Sequence, residues 1–593
     1  MRYPALTEIN TTRERVDTFA GYNHNLRIGD GEFYDMKNLS SDAYPVLSPR
    51  KPRGTYNTGT TEFDPRGMIA KDALCYVDGS EFVINKYHLD LGLSTDPKEG
   101  LKTLVSMGSY VVILPDKVWV NTQNDSTAQG ENEKSFKWGK IEASVTTEKK
   151  VIFKHCMADG TEYKDEDVTV SATAPPDPSD GALWIDTSDI PHRLNRYSSS
   201  NKSWVAIATT YVMIYSEGAN FSKHFAEGDG VTISGIKVEA LKDMNGTTVI
   251  KGVGENYIIV TGLIDKAESQ TDPITIERRM PEMDFVIESG NRLWGCKYGI
   301  ALNGEVVNEI YASKLGDFKN WNCFEGISTD SYAVTVGTDG QFTGAITHLG
   351  YPHFFKEGCM HKVYGNYPAN FQVQTTHCRG VQKGSSRSLA IVNETLFYKS
   401  QSAICAYDGS LPSEVSAALG DVPYSNAVAG ALGNKYYVSM KDAKKIYHLF
   451  VFDTAKGMWH KEDGTEAEQF CGCDGKLYYI EGNQIKTIRG EDDERVEWMA
   501  ETGIIGMEVA EKKYVVRLDV RMSLSFGSRV YFYVEYDSDG GWEHIYTKEG
   551  TSLESFAVPI RPKRCDHMRL RIVGEGDAKI FSIYKTIEQG SDM

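Results

Sequence analysis

The chain has no apolar run near the ~20 residues a membrane helix needs, and its opening, MRYPALTEIN, lacks the apolar core of a signal peptide. It is therefore expected to be made and kept in a bacterial cytoplasm, without membrane contact. No Gly-rich phosphate loop ending in Lys-Ser/Thr occurs, and neither HExxH nor GxSxG is found. These gaps argue against nucleotide hydrolysis, zincin chemistry and serine hydrolysis. Positive charge is in deficit: 64 Lys and Arg face 82 Asp and Glu, a net charge of −18. A protein that grips DNA by counterion release would need a basic stripe. An acidic wall would instead let DNA slide past. The ten cysteines show no paired framework spacing. Cys75, Cys156, Cys296, Cys323, Cys359, Cys405 and Cys565 stand in apolar runs and read as small buried hydrophobes in a reducing compartment.

What is abundant points to strands. Tyrosine numbers 33 and glycine 55. Asp-Gly pairs begin at Asp30, Asp78, Asp159, Asp180, Asp229, Asp339, Asp408, Asp463, Asp474 and Asp539, with Asn-Gly at Asn245 and Asn303. Such pairs between apolar runs mark hairpins, because both residues tolerate positive φ. Strand–turn–strand units recur at Ala73–Tyr87, Ser109–Thr122, Thr395–Gly409 and Gly475–Gly490. Their spacing suits four-stranded blades, of which about five to seven are expected to close a ring. Helical periods are scarce; Thr7–Thr18 and Ser410–Leu419 are read as short helices at most.

The rhythm breaks between Lys137 and Pro281. A Pro-rich joint at Ala174–Gly181 is followed by a meander bearing Trp184, Tyr197 and Trp204, then by closely spaced short strands. This reads as an insertion. From Arg495 onward, clean two-residue alternation predicts a half-buried antiparallel sandwich. The expected fold is thus all-β: a β-propeller with an inserted small β module and a C-terminal β-sandwich. The divisions are an N-terminal arm over 1–60, first blades over 61–136, the insertion over 137–282, remaining blades over 283–492 and the sandwich over 493–593.

Two segments carry a family resemblance. In the arm, Asp35, Asn38, Leu39, Pro45, Leu47, Arg50 and Arg53 fit a spaced pattern. In Asn291–Phe324, the matching residues are Asn291, Arg292, Leu293, Trp294, Asn308, Ile310, Tyr311, Ser313, Leu315, Gly316, Asp317 and Trp321. Asp408, Asp453 and Trp459 fit later blade units. Together they resemble the β-propeller tail hub and nozzle proteins, including packaged-DNA-stabilisation proteins, of tailed phages and prophages. That resemblance implies a structural virion protein in the tail and a ring of copies, six by analogy. The ring would meet neighbouring tail or connector proteins, and DNA would pass it without sequence reading. No enzymatic activity and no cofactor are expected from it. The arginines of the arm would tie blades or neighbours together.

Other constellations are weaker. Cys359 and His361 share a strand face, whereas His377 and Cys378 point to opposite faces, so four tetrahedral ligands are hard to assemble. Cys471 and Cys473 are read as packing. Asp537–Gly541 lacks the calcium-loop frame and is read as a hairpin turn. Two alternatives stay open: a carbohydrate-binding tail or baseplate part using Trp184, Tyr197 and Trp204, and a propeller glycosidase.

Overall fold

The computed structural model describes residues 11–56, 63–123, 136–300, 304–492, 495–550 and 552–589. It is almost entirely β. Seven four-stranded antiparallel sheets lie at 65–90, 103–140, 285–335, 342–377, 390–414, 425–461 and 469–487, the seventh completed by Gly54–Thr55 of the arm. We number them blades 1 to 7. Their innermost strands touch in sequence around a circle, and Gln469–Cys473 of blade 7 returns to Pro65–Ala70 of blade 1. At blade 5 the short helical turn Ser386–Ser388 takes part in that inner circle beside the three-residue strand Ala390–Val392. The ring is therefore a closed seven-bladed propeller.

Turn chemistry explains the hairpins. Asp474 and Gly475 both have positive φ, 50° and 70°, the backbone that matches the twist of the flanking strands. Asn393 and Glu394 adopt the same pair at 48° and 67°, although Glu394 carries no such signal in sequence. Between blades lie apolar layers: Val105, Val112, Leu293, Phe318 and Trp321 form one, and Phe355, Met360, Leu396 and Tyr407 another. A single blade cannot bury both faces, so these layers make closure cooperative.

The insertion occupies the connection from blade 2 to blade 3. It contains an eight-stranded sheet whose strands share one apolar core, including Phe153, Ile214, Phe221, Ile250, Ile258 and Ile276. A second, four-stranded sheet, 168–206, is nested within it on a small core of Val168, Leu183, Ile185 and Leu194. Blade 2 ends with Trp138–Lys140, so the propeller reaches four residues past the boundary read from the sequence.

The C-terminal sandwich is not separate, as the alternation suggested. One of its sheets continues into the propeller. Ten strands run in order from blade 6 through arm strands Gly21–Tyr22 and Glu32–Lys37 into Glu497–Thr502, Met568–Glu575, Arg529–Tyr536 and Glu543–Glu549. Its second sheet is Thr11–Val16, Ala578–Gln589, Lys513–Leu524 and Glu554–Val558. One core joins Phe397 and Phe450 of the propeller, Tyr22 and Phe33 of the arm, and Trp498 and Phe532 of the sandwich. The described part of the expected helix Thr7–Thr18 is strand Thr11–Val16, whose pairing with Ile583–Glu588 overrides the weak helical period; residues 7–10 lie outside the described residues. Ser410–Leu419 holds a two-residue strand and one 3-10 turn, Ala417–Leu419. No helix among the described residues is long and apolar enough to cross a membrane.

Candidate functional site

The arm residues singled out in the sequence converge on one seam. Tyr22 pairs with Trp459 of blade 6. Gly21 has φ 88°, and a Cβ there would stand 2.3 Å from the Trp459 carbonyl oxygen, so only glycine fits. Asp35 accepts from the Lys461 ammonium at 2.9 Å. The Asn38 amide donates to the Glu497 carbonyl at 2.8 Å, while its backbone N–H donates to the Glu462 carbonyl at 2.8 Å. One residue thus clips the arm to propeller and sandwich at once. Leu47 exchanges both backbone hydrogen bonds with Ile580, at 3.1 and 2.9 Å.

Arg50 and Arg53 form the charged centre of this seam. Arg53 donates to Glu462 at 2.6 Å and Asp463 at 3.2 Å; Arg50 donates to Asn38 Oδ1 at 2.9 Å and Asp463 at 3.3 Å. Arg53 also lies over the Tyr479 ring at 5.7 Å. Burial works against the Arg53 charge, and the Glu462 and Asp463 carboxylates outweigh it. Burial likewise opposes the Asp463 charge, but Arg53, Thr465 and Arg50 hold that carboxyl below its ordinary range. Beside it, Lys435 donates to Asp42 at 2.7 Å and Ser40 at 3.0 Å, and Ser41 donates to Asp453 at 2.5 Å. Asp453 further accepts the N–H groups of Ala455 and Lys456 at the strand end. Trp459 is buried, its indole donating to the Val415 carbonyl at 2.7 Å. The next strand, Gly54–Thr55, fits only through glycine: a Cβ on Gly490 would sit 2.2 Å from the Gly54 Cα.

The second group builds a platform. Asn291 turns at φ 61° and its carbonyl accepts from Gly316. The Trp294 indole donates to the Ser289 carbonyl at 3.1 Å within the core. Arg292 does more. It is 2 % exposed and donates to the carbonyls of Ser313, Asp330 and Ser328. It thereby shapes loop 313–331. On that loop Asp317 accepts from the Lys319 N–H at 2.9 Å and from Asn320 at 2.5 Å. Fully buried Asn320 then bonds Asp229 at 2.9 Å and receives the Gly230 N–H at 2.9 Å. Asp229 is in turn paired with Arg278. The insertion therefore docks on the loop through buried polar groups. Asp408 is exposed at a turn, bonded to Ser410, and joins neither group.

Tyr311 lines a cleft of about 690 Å³ between blade 3 and the insertion, with Glu142, Glu277, Glu305 and Glu309 around it. Burial, then the Glu309 and Glu305 carboxylates, push its hydroxyl above the ordinary range. Arg387, on the inner circle of blade 5, donates at 3.3 Å to the carbonyls of Leu101, just before blade 2, and of Glu468, just before blade 7, and so spans the centre of the ring. Trp184, Tyr197 and Trp204 meet ring to ring, both contacts at 5.4 Å and 63°, and the buried Trp184 donates to Ser171. They serve as packing for the nested sheet. Among the described residues no group of three or more His, Cys, Asp or Glu side chains could hold a metal ion.

These features define an all-β propeller protein with an inserted β module and a C-terminal sandwich. No protein-family model matches the chain, and no curated protein matches it in sequence. Among solved structures it is similar to an exo-β-1,3-galactanase from Phanerochaete chrysosporium bound to galactose, with 8 % identity, 51 % of this chain, 94 % of that chain and a TM-score of 0.21. A puromycin hydrolase mutant shows 10 % identity over 67 % of this chain and 58 % of its own, TM-score 0.23. A family 43 arabinoxylan arabinofuranohydrolase from Bacillus subtilis shows 9 % identity over 66 % and 92 %, TM-score 0.15. These likenesses assign this chain no activity. The matches are hydrolases, which runs against the expectation of no enzymatic activity.

Proposed function

We propose that the chain is a structural component of a tail hub or nozzle of the phage type, working as a ring of like subunits. The observation that carries this reading is the seam. Propeller, arm and sandwich share one ten-stranded sheet and one core, which makes them a single body that could pack beside copies of itself. A heterologous contact of that kind generates a ring when its rotation closes. Of the residues that carry the resemblance, Asp35, Asn38, Leu47, Arg50, Arg53, Asp453 and Trp459 lie at the seam, and Asn291, Trp294 and Asp317 lie around loop 313–331. Since Arg387 spans the centre of the ring, DNA would pass between copies and not through a single propeller. Electron microscopy of the purified chain with mass measurement tests this. Closed rings, six copies by analogy, are expected; a monomer at all micromolar concentrations overturns it.

A second reading is favoured by the acidic cleft around Tyr311: glycoside hydrolysis, which needs paired carboxylates. Release of reducing sugar from β-1,3-galactan or arabinoxylan, lost in Glu309→Gln, would establish it. A purified ring inert on both polysaccharides would remove it.

A further inference from the structure

Blade 4 carries a row of chemistry that neither reading uses. At its connector end, four residues stand in cross-strand register: Phe342 opposite Lys356, Lys356 opposite Cys359, and Cys359 opposite His377. Directly opposed residues share a sheet face, so Lys356, Cys359 and His377 point the same way. His361, two residues from Cys359, joins that face with its partner Thr375. The row forms part of a cleft of about 550 Å³ that also includes Thr338, Asp339 and Lys383.

Two independent features set this thiol apart. The first is a base. Cys359 Sγ lies 3.8 Å from His361 Nε2, which also meets the Thr338 hydroxyl at 2.9 Å; Nδ1 meets Thr375 at 2.9 Å. The Thr375 hydroxyl can accept from Nδ1–H, which leaves Nε2 as an acceptor shared by the Thr338 hydroxyl and the sulfur. Burial, with Lys356 and His377 adding to it, lowers the imidazole to about 4, so it is neutral at pH 7. The second is a buried cation with no ion-paired carboxylate among the described residues. Lys356 is 2 % exposed, and its ammonium donates to Asn308 Oδ1 at 2.8 Å and the Thr338 carbonyl at 2.7 Å. It lies over the Phe342 ring at 4.6 Å and the Tyr298 ring at 5.0 Å. Among the described residues no carboxylate forms an ion pair with it. Buried charges are ordinarily compensated; Cys359 stands directly opposite this ammonium, and the Asp339 carboxylate acts on it from the same cleft. The same ammonium opposes a metal ion among Cys359, His361 and His377.

We propose that Cys359 is a nucleophilic thiol and that this cleft is a site of thiol–disulfide exchange with small disulfides of the glutathione class. A cysteine flanked by a cation and an imidazole is the setting in which such reactivity arises. The thiol proton is drawn toward His361 Nε2 as the sulfur attacks one sulfur of the disulfide R–S–S–R; a Cys359–S–S–R bond forms, the S–S bond of the incoming disulfide breaks, and the leaving R–S⁻ takes up that proton. Electrons balance because the incoming disulfide is the oxidant.

The test is peptide mass spectrometry of the full chain after timed exposure to oxidised glutathione and, separately, to iodoacetamide. Cys359, itself only 4 % exposed, should react at least about tenfold faster than the similarly buried Cys75, Cys156, Cys296 and Cys565. Lys356→Met should slow it about tenfold while Lys356→Arg retains most of the rate. The half-buried Cys471, remote from the row, reports whether each variant keeps its fold. If Cys359 stays unmodified while Cys378 and Cys471 react, the proposal fails. It fails equally if Lys356→Met reacts like the parent with the Cys471 rate unchanged.

Discussion

The arm and the insertion are fastened to the same propeller by different physics. The arm enters backbone ladders: Tyr22 against Trp459, Asp35 to Lys37 against Met499 to Glu501, and Gly54–Thr55 against Lys486–Thr487. Its arginines are then locked in a buried ionic cluster. Among the described residues no strand of the insertion pairs with a blade. It rests on loop 313–331 through side chains, Asp229, Asn320 and Arg278, while its own core stays self-contained. The arm is thus part of the propeller's folding unit, and the insertion is a guest that can loosen without opening the ring.

Changes at the arm should therefore do most damage. Arg53→Met leaves Glu462 buried beside Asp463 with its main partner gone, an expected loss of about 3–5 kcal/mol. Chemical denaturation should show one transition moving for propeller and sandwich together. A sandwich that unfolds alone would contradict the shared core.

Acid is expected to act next. Burial lowers His353 and His361 to about 4 and His460 to about 3. Their folded values lie below the unfolded one, so the unfolded chain binds protons that the native chain refuses. The stability they contribute is whole above about pH 6.5 and declines as pH falls toward 4, by roughly 3 kcal/mol for each group. Denaturant titrations across that window should show the decline, and His353→Gln should flatten it.

The smallest effect belongs to the guest. Asn320→Ala removes the hub between loop and insertion and should cost about 1–3 kcal/mol. Hydrogen exchange should rise around Gly228–Gly230 and Lys314–Asn320, with the blade strands unchanged. Exchange rising throughout the ring would mean that the insertion is integral after all.

How much of this was legible in the chain follows from range. Hairpins such as Asp474–Gly475 announce themselves locally, as do the alternation of Lys513–Leu524 and the Pro-rich entry to the nested sheet. Contacts across some four hundred residues do not. That Arg53 meets Glu462, or that Glu32–Lys37 becomes the bridge to the sandwich, depends on closing the ring first. Arg292 looked like one letter of a motif, and only its three carbonyl partners reveal a loop organiser. Arg387 stood out in no pattern. The face shared by Cys359 and His361 could be read from spacing, whereas Lys356 joined them only through hairpin register.

The shared sheet has a mechanical meaning. Where Glu32–Lys37 lies against Glu497–Thr502, the hydrogen bonds run as a ladder between overlapping strands. A tug along those strands loads several bonds at once, as in shear, whereas a tug across them would peel one at a time. Load arriving along the sandwich would thus be spread into the wheel and not concentrated at a hinge.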